Sequence, residues 1–191
     1  MTARSFSEVL DFWLGRADSP LRGRARKAWF VKSDEFDREV RERFSRLWET
    51  AWRGELKVWL DTPLAALALV VVLDQFPRNM FRGKPQAFAS DALALATAQG
   101  IVERRFDRLL RPIERAFVYL PFQHAEDLEA QRRSLAFYEE LARLGVDHLQ
   151  FARRHHDIVA RFGRFPHRNE ILGRVSTAEE IEFLKKPGSR F

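Results

Sequence analysis

The chain has 191 residues, 46% of them hydrophobic and 31% charged, enough to bury the core of one ordinary domain and too apolar for a disordered chain. Cysteine is absent, so disulfides, a thiolate nucleophile and cysteine-ligated zinc are excluded together, which fits a reducing cytoplasm. The net charge of +6 suits an anionic partner, while the longest apolar run, ten residues from Leu64 to Leu73, is about half of what a membrane-spanning helix needs.

The periodicity is helical from the start. Phe6, Val9, Leu10, Trp13 and Leu14 recur at helical spacing, with Ser5 and Glu8 placed as a capping box and Gly15 as the stop. Phe36, Val40, Phe44, Leu47, Trp48 and Ala51 mark a second helix, opened by Ser33 or Asp34 and ended before Gly54. Thr62-Pro63 then reads as an N-cap with proline at the first helical position, and Leu64 to Leu73 is apolar on every face. A helix without a polar face has to be surrounded, so this one is expected at the centre. Pro77 is expected to end or kink it near Phe76.

A fourth helix is expected over about residues 86–99, then a short turn of helix around Phe106 to Leu110 and a break at Pro112. Another short helix spans Glu114 to Tyr119, and Pro121 breaks the chain again. Two amphipathic helices follow, Ala125 to Leu144 and Val146 to Phe162, and a last short one begins at Ser176 or Thr177. Lys185 to Phe191 reads as a flexible tail. No period-two strand appears and no linker divides the chain. The expected architecture is all-α, one domain over residues 1–191, built as a bundle or superhelix of antiparallel helix pairs. No clean helical-hairpin repeat is found.

The chemistry-bearing residues gather where helices break. The first break holds Asp74, Gln75, Arg78, Asn79 and Arg82 behind Phe76-Pro77. A second, at Tyr119-Leu120-Pro121-Phe122, is followed by His124, Glu126 and Asp127, with Gln131 one helical turn beyond Asp127. A third places Arg161, Arg164, His167, Arg168, Asn169 and Arg174 within fourteen residues around Phe165-Pro166, echoing the first. Aromatic-proline turns are rigid, and the arginine forks and asparagine amides beside them either bind an anion or tie helix ends together. His155 should point inward and His156 outward. Asp74 follows an apolar helix, so it is expected to be buried, either paired to an arginine or held for a ligand.

Three stretches, Leu73 to Gly83, Glu114 to His124 and Arg161 to Arg174, together resemble the bacterial domain-of-unknown-function 924 family. The likeness runs from Val9-Leu10-Asp11-Phe12-Trp13 to Thr177-Ala178-Glu179-Glu180. It implies a tetratricopeptide-like α-α superhelix and assigns no activity. Carried over by position, the family's signature falls on the polar residues of the three breaks named above, with Asp91, Glu114 and His155 besides. Relatives often have serine where this chain has Ala125, so a serine nucleophile is excluded there.

The leading expectation is a pocket for an anionic small molecule bearing phosphate or carboxylate. Its ligand-binding residues would be Asp74, Gln75, Arg78, Asn79, Arg82, Glu126, Asp127, Gln131, Arg161, Arg164, Arg168 and Asn169. Among them Asp74, with His124, His155 and His167, is a candidate for acid-base work on a phosphoryl or acyl ester. Asp74, Arg78, His124, Arg164 and Asn169 should then converge on one cavity. The alternative is a peptide-binding scaffold for acidic partners, anchored by Trp29, Trp52 or Trp59, with the polar cluster purely structural. Nucleic acid is disfavoured, because acidic residues are spread evenly and no helix presents an unbroken basic face. A metal cage of His124, Glu126 or Asp127, His155 and Asp74 can be drawn, but its spacing matches no standard signature, so no metal or cofactor is assigned. No secretory signal opens the chain, and a cytoplasmic location is expected.

Overall fold

The protein is seen in a computed structural model that describes residues 5–190, apart from residues 21 and 30. Ser5 caps the first helix, α1 (Phe6–Leu14), in a complete capping box with Glu8. Ser33 caps α2 (Asp34–Trp52), whose buried stripe includes Val40, Phe44, Leu47 and Trp48. The apolar run forms α3 (Pro63–Val70), opened by proline where the missing N–H has no bond to lose. From Ala65 to Val70 every side chain is buried, and the helix packs against α1 and the later helices of the core. It is the central helix.

Pro77 does not end this helix. The chain passes through a π turn at Val71–Gln75 and continues as α4 (Phe76–Met80). The Phe76 N–H donates to the Val71 carbonyl, one residue further back than in an α-helix. Pro77 has no N–H for the carbonyl of Leu73. That carbonyl accepts the Ser90 hydroxyl (2.6 Å) instead, and Ser90 in turn accepts the Trp48 indole N–H (3.0 Å).

The expected fourth helix divides into a 3₁₀ turn, Pro85–Phe88, and α5 (Asp91–Glu103). Pro112 begins α6 (Pro112–His124), which runs through Pro121 and does not break there. Proline leaves the Phe117 carbonyl without its helical donor, and the Tyr138 hydroxyl bonds the neighbouring Ala116 carbonyl at 2.9 Å. Asp127 caps α7 (Leu128–Arg143), accepting from the Ala130 N–H at 2.7 Å, and α8 (Leu149–Phe162) packs against α7. Gly163, at φ 69°, ends α8 in the left-handed conformation that turns Phe165 and Pro166 back toward the core. A last helix, α9 (Ala178–Leu184), starts at Thr177. Beyond it the Ser189 side chain is buried and its hydroxyl donates to the Leu184 carbonyl (3.1 Å); Phe191 lies outside the described residues. Among the described residues the chain is helical without strands, and no helix is long and apolar enough to cross a membrane.

Candidate functional site

The π turn sets Asp74 inside the molecule at 1% exposure. Its carboxylate accepts from His124 Nδ1 (2.9 and 3.0 Å) and from Gln75 Nε2 (2.5 Å), and the Arg78 guanidinium lies 3.3 Å away. Burial works to raise its pKa, but Arg78 and His124 outweigh burial and hold it well below the usual carboxylate range. Because a carboxylate can only accept, Nδ1 of His124 carries the hydrogen and Nε2 the lone pair. Burial and then Arg78 push the His124 pKa below its ordinary value, against the pull of Asp74, so the ring is neutral at pH 7.

His124 is held on both sides. It is the last residue of α6, where carbonyls lose their helical donors. The fully buried Gln131 donates its amide to the carbonyls of Gln123 and Ala125, both at 2.7 Å. His155 lies beside it, ring centroids 6.1 Å apart, and donates from Nδ1 to the Phe151 carbonyl (2.8 Å). Burial above all, with His124 next, lowers the His155 pKa to about 3.

Arg78 reaches away from Asp74 to Asp91, which takes it in a two-pronged pair at 2.9 and 3.0 Å. Asp91 also faces Arg168, at a longer 3.5 Å. The Arg168 guanidinium lies between the rings of Phe88 and Phe165, 4.6 and 4.5 Å from their centroids. Its side chain is 7% exposed, and its buried Nε has no partner among the described residues. Burial, reinforced by Arg78, lowers its pKa to about 10. Arg168 is therefore a desolvated cation whose nearest carboxylate, Asp91, is shared with Arg78, with Glu126 and Asp74 acting on it as further carboxylates.

These groups open on a cavity of about 730 Å³. Gln75, Arg78, Asn79, Arg82, His124, His155, His167 and Arg168 line it, together with Trp13, Trp29, Phe117, Leu120 and Phe151. Its volume is in the range of small-molecule pockets. Charged lining residues are all cationic, and the compensating Asp37, Asp74 and Asp91 stand behind them.

The sequence profile of a family described as "Bacterial protein of unknown function (DUF924)" matches residues 9–188. The chain belongs to that family. A solved structure, that of the protein of unknown function ATU0120 from Agrobacterium tumefaciens, is 40% identical with a TM-score of 0.84, over 94% of this chain and 96% of that one. No curated protein matches.

Within this DUF924 chain the expected convergence is partial. Asp74, Arg78 and His124 meet at the cavity, although Asp74 itself stands behind its wall. Arg164 and Asn169 do not line it. Arg164 pairs with Glu180 at 2.7 and 2.8 Å, and Asn169 donates to the same carboxylate and to Ser176, fastening α9. Glu126 accepts the Phe165 N–H (2.7 Å) and pairs with Arg174, so it holds the third turn rather than a ligand. Asp127 is a helix cap, Gln131 a brace, and Arg161 forms a surface pair with Glu179. Glu126 and Asp127, so occupied, do not complete a cage with His124 and His155. Among the proposed peptide anchors Trp29 lines the cavity, Trp59 is buried, and Trp52 stacks on Trp48.

Site residues that the sequence did not single out for the site are Phe88, Trp13, Phe117 and Gln123, the three aromatics because each sits at an ordinary core spacing. Asp91 appeared only through the family signature, because an acidic residue in a first helical turn has a sufficient local explanation.

Proposed function

We propose that this cavity binds a small molecule carrying a phosphate or carboxylate, with Arg168 as its principal anchor and Arg78 beside it. The observation that supports this most is Arg168 itself. A buried guanidinium is costly unless matched by charge and hydrogen bonds, and here an unpartnered donor and a long contact leave it short of both. An oxyanion in the cavity supplies the missing charge and accepts from the guanidinium that lines it.

The same reading gives His124 a task. With Nδ1 tied to Asp74, Nε2 accepts a proton from a water that attacks the phosphoryl or acyl centre of a bound ester. The water oxygen bonds that centre, the ester bond breaks, and the proton passes from His124 to the leaving oxygen. Asp74, buried behind the ring, stabilises the imidazolium in between. It is a positioning residue.

Thermal unfolding with millimolar phosphate, sulfate or acetate tests the binding. A ligand at a hundred times its dissociation constant stabilises by about 2.7 kcal/mol, so the melting temperature should rise in wild type and stay fixed in Arg168→Met. A melting temperature that ignores all three anions, or shifts equally in both proteins, overturns the reading. For the chemistry, 1-naphthyl phosphate and 1-naphthyl acetate are the probes, and His124→Gln should remove whichever hydrolysis wild type shows.

A further inference from the structure

Arg78, Arg168, His124 and His155 gather toward one end of the cavity. On α6 the residues facing it, Ile113, Phe117, Leu120 and His124, form one helical stripe that covers about 16 Å of axis. Two short links through the intervening α7 make α8 run in the same direction as α6, and α8 faces the cavity with His148, Phe151 and His155. Both stripes carry a histidine at their C-terminal end, at the level where Arg78 and Arg168 stand, and His148 opens the α8 stripe. Toward the other end the walls are aromatic. Phe117 meets Trp29 edge-on at 4.8 Å and Trp13 at 5.9 Å. The buried indole N–H of Trp13 has no partner among the described residues.

We infer that the ligand is an amphipathic anion, with an alkyl, acyl or aryl body lying along the α6 and α8 stripes toward Trp29 and a terminal phosphate or carboxylate at Arg168. The inference rests on the anion reading above and adds the body. A bare oxyanion fills only a fraction of a cavity of about 730 Å³ and leaves the aromatic walls against water. An apolar body displaces that water.

The test is a series of n-alkyl phosphates from butyl to octyl, with inorganic phosphate and n-octanol beside them, titrated by calorimetry against the whole chain. Affinity should rise about fourfold per added methylene, and octyl phosphate should bind at least tenfold tighter than either phosphate or octanol. Trp29→Ala should flatten the dependence on chain length while phosphate still binds. If that variant fails to fold, Phe151→Ala serves the same purpose. Octanoate run beside octyl phosphate distinguishes the two head groups, the tighter naming the natural one. Equal affinity along the series, with phosphate still binding, overturns the amphipathic inference and leaves the anion reading standing. Octanol binding as well as octyl phosphate, or no binding by any probe, overturns both.

Discussion

In the turn around Arg78 every cation is matched. Arg78 has Asp91 in a two-pronged pair and Asp74 at 3.3 Å, while Arg82 and Asn79 share Asp37 at 2.7 to 2.9 Å. The turn around Arg168 has a similar sequence and repeats two of these three ties. Asn169 finds Glu180, and Arg174 pairs with Glu126 at 2.6 and 2.9 Å. Arg168, the counterpart of Arg78, has as its nearest carboxylate the far side of an Asp91 already engaged, with Glu126 and Asp74 acting on it besides. The repeated asparagine and second arginine thus fasten helices in both turns. The repeated first arginine lines the cavity in both, and only Arg78 has a close two-pronged carboxylate partner. A similar motif can therefore be structural in one copy and incomplete, hence available, in the other.

The largest expected effect breaks the matched turn. Arg78→Met leaves the buried Asp74 and the half-buried Asp91 without their main cation and should destabilise the protein by about 3–5 kcal/mol in urea unfolding. A loss below roughly 1 kcal/mol would remove the distinction between the turns. A second test concerns His155, which packs edge-on to Phe165 of the unmatched turn at 5.5 Å. Its pKa falls from the ordinary 6.5 to about 3 in the folded state. As pH drops below 6.5 the unfolded chain takes up a proton there that the folded chain refuses. Stability is therefore full above that pH and declines as pH falls toward the folded value, by about 1.4 kcal/mol per unit from this group. Urea unfolding from pH 7 to pH 5 measures the slope, and His155→Phe should make it shallower by that amount. The smallest effect is Arg168→Met. Asp91 keeps Arg78, so stability should stay within about 1 kcal/mol of wild type, in either direction. A collapse of stability would mean that Arg168 is as fully used as Arg78.

Much of the helical layout was legible because capping residues and apolar spacing act locally. The Ser5 and Thr177 caps, the Pro63 start and the inward turn of His155 all follow from a few neighbouring residues. The break expected at Pro121 and the helix end that was one of two outcomes expected at Pro77 did not occur, for a shared reason. Proline removes one bond, and whether the helix survives depends on its surroundings: at Pro77 a π turn and the Ser90 hydroxyl on the freed carbonyl, and at Pro121 the close packing that buries α6 on both sides of it. The site residues divide in the same way. That Arg78, His124 and Arg168 belong with a polar centre was visible in their clustering at helix breaks. That Arg164, Asn169 and Glu126 serve as fasteners was not, because their partners lie across turns of the chain whose path local spacing does not fix, and for Glu126 some forty residues away.

The amino-acid order alone determined the helical class, most of its boundaries and which residues carry charge at the breaks. These depend on backbone propensity, capping and burial, each settled within a few residues. Only the tertiary structure decided which arginine would be neutralised. Charge matching is a sum over groups brought from distant helices, and here Asp91 stands nearer to Arg78 than to Arg168.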